Sequence, residues 1–396
     1  MTEPAVTDVN KLDSVIDRLP AFREAARSLR EALLSNLVMT AEIPAPTYGE
    51  QARVRFIQDR FCECGLQNCS TDEAGNALGI VPGSEGKRNI LVVAHADTLF
   101  PATEDHTITV KQDSATGPGV GDNSLGVAAV ATLPTLIDRL GLRLRNNLVL
   151  MGAIRSLGHG DLEGLRFFLA HFKRPIRAGV CVEGMQLGRL SYASIGMLRG
   201  EISVEVPEAY DWTRFGVLSA VSVVNEVINK IQDIPLPARP RSSILLGSVK
   251  AGTSFSATAT HAVLRFEVRS ESADIVHRAL YTIGLITEEV SAQTGAEVTL
   301  GVVARREPGG ITFAHPLVQN ARLIMEALGV EPRIAPSMSE LTTFIHRQIP
   351  AITLGVTTGE NLGHSDETVF IEPMCTGMAQ LIAILTAIDE GLCDEP

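Results

Sequence analysis

The run Asn89-Ile90-Leu91-Val92-Val93-Ala94-His95-Ala96-Asp97-Thr98 constrains this chain more than any other. Its apolar stretch, Ile90 to Ala94, is β-branched at Ile90, Val92 and Val93 and follows Gly86-Lys87-Arg88. A short unbroken apolar run bounded by turn and charged residues predicts a strand buried on both faces, as at the centre of a parallel sheet. His95 then leaves the strand at its carboxyl end, where open α/β sheets bind ligands. Asp97, just behind, is placed to fix the ring and its tautomer. Taken alone, His-x-Asp reads more readily as a strand-end histidine in a satisfied hydrogen bond.

Further on, Gly117-Pro118-Gly119-Val120-Gly121-Asp122-Asn123-Ser124-Leu125-Gly126 is a glycine-rich loop running into an apolar helix. Asp122 stands where that helix begins, so its carboxylate either caps free N–H groups or faces the space in front of His95. The two segments together resemble the co-catalytic zinc exopeptidase and deacylase family, which includes aminoacylase, acetylornithine deacetylase, succinyl-diaminopimelate desuccinylase, dipeptidases and tripeptidase. The resemblance implies that His95 binds one metal ion and that Asp122 bridges two.

A chain of 396 residues, 45% hydrophobic, is long enough for two domains with a core each. Its net charge of −12 argues against nucleic acid or an anionic membrane as partner. No unbroken apolar run reaches the roughly 18 residues of a membrane span, and Met1 to Val6 lacks the pattern of a signal peptide; a cytoplasmic location is expected. The six cysteines are scattered without paired Cys-x-x-Cys motifs, so reduced thiols are the default. Cys62, Cys64 and Cys69 are near enough in sequence to leave metal binding or oxidation open.

Helical spacing covers about Val9 to Leu37, with Pro20 expected to split it into two helices. A loop ending on Glu50 precedes an amphipathic helix, and Asp72-Glu73-Ala74-Gly75-Asn76 reads as a tight turn between strands. The turn resembles the family's Asp-x-x-Gly-Asn signature. Strands and helices then alternate to about residue 196, giving a mixed, mostly parallel sheet with helices on both faces. Residues 197–306 follow the order β-α-β-β-α-β, a ferredoxin-like plan that looks like the family's inserted lid. The expected division is therefore a metal-binding α/β domain, 1–196 with 307–396, and a lid and dimerisation domain, 197–306.

The chain departs from the family after Asn147 to Ala153. Gly158-His159-Gly160-Asp161-Leu162-Glu163-Gly164 keeps the tail of the motif, but Ser156 and Leu157 stand where two glutamates are expected. In the family the first is the general base and the second a ligand of the second metal. A serine has neither the pKa nor the charge of that base, and a leucine cannot ligate. Glu183 and His364 match the remaining ligand positions, so the resemblance leaves His95, Asp122, Glu183 and His364. Such a set suits a divalent ion, zinc by default, and one ion rather than two. With Asp97 as orienting carboxylate, His159, Asp161 or a carboxylate of the substrate are the candidates for replacement base.

Lid positions diverge too: Tyr210 replaces the family's histidine, Ser256 its asparagine, and Arg269 survives to hold a substrate carboxylate or form a salt bridge. Two readings follow. One is a metal-dependent amidohydrolase or exopeptidase acting on a small N-acyl amino acid or peptide. The other is a catalytically inactive relative that binds such a molecule or serves in assembly. A homodimer through the lid is expected in either case.

Overall fold

A computed structural model describes residues 6–206, 218–255 and 257–395, the side chains from residue 11 onward. The chain divides into two compact units, Met1–Ala193 with Gly310–Pro396, and Ser194–Gly309.

The larger unit is built on an eight-stranded sheet. Its strands run in the order Gln67–Thr71, Ala77–Val81, Asn147–Ala153, Asn89–His95, Ile176–Leu187, Ala351–Gly355, Arg189–Ser191 and Arg333–Ile334. Asn89–His95 is parallel to both its neighbours, and every residue of it is buried. Alternate side chains explain why. Ile90, Val92 and Ala94 enter the larger core, and Leu91 and Val93 enter a second core on the opposite face with Leu165, Phe168 and Phe344. Both faces are thus covered by helices, as the continuous apolar run requires.

Two helical segments of this unit, Val120–Arg139 and Ile371–Asp389, are long and apolar enough to cross a membrane, but most of their residues are buried inside the unit. They are core helices. Residues expected to form two N-terminal helices form three: Val6–Asp17, Leu19–Ser28 and Arg30–Ala41. Pro20 sits in the first turn of the second, where its missing N–H costs nothing. The second break falls at Leu29 (φ −104°, ψ 9°), which no glycine or proline announces.

The smaller unit is a four-stranded antiparallel sheet in the order Ser242–Ala251, His261–Ser270, Gly196–Glu205 and Glu297–Arg306. Helices Ala220–Gln232 and Ala273–Thr294 pack on it around Leu198, Ile202, Leu264, Phe266 and Ile283. Ser219 starts the first helix as an N-cap, its Oγ accepting from the Val221 amide at 3.3 Å, and Gly295 at φ +73° ends the second.

Phe344 tests the second core. It is fully buried, and a Cβ added at Gly179 would lie 2.4 Å from its ring, so ring and glycine are fitted together. Phe344→Ala should cost about 3–5 kcal/mol of unfolding free energy, read by denaturant melts; a cost near zero would contradict this packing.

Candidate metal centre

The parallel register sets the site. Val93 pairs with Cys181 across neighbouring strands, so two residues further on His95 and Glu183 come side by side at the carboxyl ends. Asp122 arrives from the loop before the helix Leu125–Arg139. Asn123 anchors that loop: its Nδ2 donates to the Val182 carbonyl at 2.8 Å and its Oδ1 accepts from the Gly184 amide at 2.8 Å. The approach is close enough that a Cβ at Gly126 would meet Asn123 Oδ1 at 2.1 Å. A glycine is required there.

His95 Nε2 lies 3.0 Å from Asp122 Oδ1 and 4.0 Å from Glu183 Oε2. One ligand atom from each of His95, Asp122 and Glu183 falls within 4.8 Å of the others. On the other side of the ring Nδ1 donates to the Asp97 carbonyl at 3.0 Å, with Asp97 Oδ1 at 3.4 Å. That contact holds the proton on Nδ1 and turns Nε2 toward Asp122 and Glu183, the nitrogen an ion would take in place of a proton. Asp97 is fully buried, and its Oδ2 accepts from Thr47 Oγ1 and from the Leu157 amide, both at 2.9 Å.

The donor set fits a divalent cation. Burial disfavours the charged form of His95, yet its bonds to Asp122 and Asp97 outweigh this and raise its pKa well above the ordinary value. Burial pushes Glu183 up to about 7, against the opposing charges of His95 and Arg189, whose Nη1 lies 3.8 Å away. Clustered acids and an imidazole held by protons are what an ion would replace.

The other candidates lie elsewhere. His364 is exposed in a turn and does not belong to the converging group, found among the described residues. His159 is exposed, its carbonyl accepting from the Tyr48 hydroxyl at 3.1 Å. Asp161 has φ +45° and pairs with Arg166 at 2.8 Å. Arg269 pairs with Glu267, which also holds Arg199 at 2.6 Å, a salt bridge within the smaller unit. Tyr210 and Ser256 fall outside the described residues. Ser156 is buried with no hydrogen-bond partner for its hydroxyl among the described residues.

Three residues near His95 escaped the sequence reading. Arg53, 1% exposed, donates to the carbonyls of Ala41, Ile43 and Ala96 and so ties the segment before Glu50 to the turn after His95. Glu367 is fully buried, directed at the Gly119, Gly121 and Asp122 amides without closing a hydrogen bond; burial and then Asp122 push it up to about 8. Glu340 is 2% exposed with Oε1 unpartnered among the described residues. Glu367 had a signal, lying three residues after His364; nothing in the helical pattern marked Arg53.

The raised groups give a pH dependence. A pKa higher in the folded than in the unfolded state contributes stability that is lost as pH rises through the folded value. For Glu183 and Glu367 that window runs upward through about 7 and about 8, and His95 shifts in the same sense. Metal-free protein should melt at a lower temperature at about pH 8 than at about pH 6, and added zinc should reverse the loss at the higher pH. A melting temperature that rises over this range without metal would contradict the assignment.

No family model matches the sequence, and no curated protein matches it. Solved structures do match in fold. The dipeptidase Dug1p of Saccharomyces cerevisiae superposes with a TM-score of 0.78 at 14% identity, over 94% of this chain and 98% of its own. The aminopeptidase PepT of Bacillus cereus gives 0.69 at 15%, over 91% and 98%. An M20-family metallo-carboxypeptidase of Sulfolobus solfataricus gives 0.72 at 11%, over 90% and 99%. The chain therefore has the fold of the M20-family metallopeptidases, the exopeptidase and deacylase architecture that its sequence motifs resemble.

Proposed function

We propose that this protein is a metal-dependent hydrolase of small peptides or N-acyl amino acids, using one ion, zinc by default, held by His95, Asp122 and Glu183. The observation that carries this reading is the convergence of those three ligand atoms at the carboxyl ends of parallel strands. When bound, the ion supplies Lewis acidity, polarising an amide carbonyl and bringing a water within reach of deprotonation near neutral pH. The chain's own residues do the rest: Asp97 holds the His95 ring, and Asn123 holds the loop that presents Asp122. Proteins of the same fold include an aminopeptidase, a dipeptidase and an amidase of the hydantoinase/carbamoylase family, which supports a peptide or amide substrate.

A specific observation favours a second reading, a catalytically inactive relative that binds the same class of molecule or serves in assembly. Leu157 uses its amide to bind Asp97 and has no side-chain ligand to offer, and Ser156 is no base. The remaining expectations belong to the proposal as well: a cytoplasmic protein without nucleic-acid or membrane partner, dimeric through the lid. The edge strands of the smaller unit support the dimer, with Leu245 and Val249 exposed on one and Val302 on the other.

Protein purified without chelator and assayed on dipeptides and N-acyl amino acids should contain about one zinc per chain and release amino acid. His95→Ala should abolish tight zinc binding, a larger loss than the about 10–100-fold expected for Asp97→Asn, and His364→Ala should leave affinity unchanged. Two tight equivalents, or equal dependence on His364 and His95, would overturn the single-ion proposal. Full activity after complete zinc removal would overturn the metal-dependent reading. Sedimentation should give about twice the 42.4 kDa chain mass; a monomer at micromolar concentration would contradict the dimer.

A further inference from the structure

Asp122 reaches the site on a loop, so its position is only as good as the contacts that hold the loop. One hold is next to Glu183: Asn123 bonds the Val182 carbonyl and the Gly184 amide, and a Cβ on Gly184 would meet the Gly121 carbonyl oxygen at 2.3 Å. A second comes from the segment of Glu367. The Glu367 carbonyl accepts from the Gly117 amide at 2.9 Å, and Thr368 pairs with Thr116 in the strand just before the loop. The side chain continues the contact. A Cβ on Gly121 would lie 2.8 Å from Glu367 Oε1, so the carboxylate rests against the residue that precedes Asp122.

Glu367 is fully buried, and among the described residues neither of its carboxylate oxygens has a hydrogen-bond partner. Other acids nearby are better served. Asp97 has Oδ2 filled by Thr47 and the Leu157 amide, and Glu50 accepts the Arg155 amide at 2.9 Å. Burying an acid without a donor is costly, and such a group in a folded protein calls for a reason. Packing is a poor one, since an uncharged side chain of similar size would fill the space at less cost. A stability cost of this kind is tolerated where function depends on the group. Glu367 is not one of the three converging ligands, so its use must run through the loop it touches.

We propose that Glu367 is a positioning residue for Asp122: in the loaded protein its carboxylate accepts main-chain N–H groups of the 119–122 turn and so fixes Asp122 at the face of His95. The proposal rests on the metal-dependent reading. A charged acceptor makes stronger hydrogen bonds than a neutral one, and partners of this kind behind a ligand set both its orientation and its affinity for the ion.

The test uses the full chain as wild type, Glu367→Gln and Glu367→Asp, with zinc as the probe. Zinc affinity is measured by chelator competition, the metal-free proteins are melted, and amide hydrogen exchange is followed over residues 117–126. Glu367→Gln should bind zinc about 10- to 100-fold more weakly than wild type. Its metal-free form should melt no lower, because what it loses is a buried acid without a donor. Zinc should slow exchange at the 119–122 turn in wild type and do so less in Glu367→Gln. Glu367→Asp keeps the charge and should bind zinc more tightly than Glu367→Gln. Equal affinity of wild type and Glu367→Gln, no gain for Glu367→Asp over Glu367→Gln, or no protection of the turn by zinc in wild type would overturn the proposal. So would a Glu367→Gln protein whose metal-free form melts well below wild type, the mark of a packing role alone. If wild type binds no zinc, the metal-dependent reading falls with it; if the zinc results hold and no substrate is hydrolysed, the hydrolase reading falls and the positioning role stands.

Discussion

The contact on which the site depends is the one between Asp97 and the His95 ring. A metal-binding imidazole is useful only if one nitrogen keeps its proton and the other points outward. Asp97 secures this with its main-chain carbonyl and also spans the neighbouring loops, taking Thr47 on one side and the Leu157 amide on the other. Burial alone would raise its carboxyl, but the His95 contact, the Leu157 amide and Thr47 hold it below the usual range. Arg53 completes the arrangement from behind. Burial brings its guanidinium down to about 10, against Asp97 and Glu50, and its three carbonyl partners fix the backbone on either side of the turn.

Much of this was legible in the sequence where one pattern admitted one structure. The unbroken run Ile90 to Ala94 required cover on both faces, and the two cores that receive its alternate side chains provide it. The loop from Gly117 to Gly126 announced a close approach, and the space at Gly126 leaves no room for a larger residue. In the turn from Asp72 to Asn76, Gly75 takes the positive φ, +106°, and Asn76 does not. The Asn76 side chain instead binds Asp72, the Gly164 carbonyl and the Ile154 amide. The bonds to Gly164 and Ile154, 88 and 78 residues away, have no local signature. The same holds for Arg53, which reads as one more charged residue on an amphipathic helix.

His364 shows the limit of carrying a motif across distant relatives. Its segment matches the expected pattern, yet the imidazole is exposed, and the residue of that segment that enters the interior is Glu367. Leu157 brings no charge to that side, where Asp122 and Glu367 stand among the described residues. A carboxyl pushed up to about 8 by burial is a weak ligand at neutral pH.

X-ray absorption at the zinc edge of the loaded protein tests the single-ion centre most directly. The account predicts one imidazole and an otherwise oxygen-based shell at about 2.0–2.2 Å, with no metal scatterer at the about 3.5–4 Å of two-metal sites. A metal–metal vector at that distance, or a second imidazole in the shell, would contradict it.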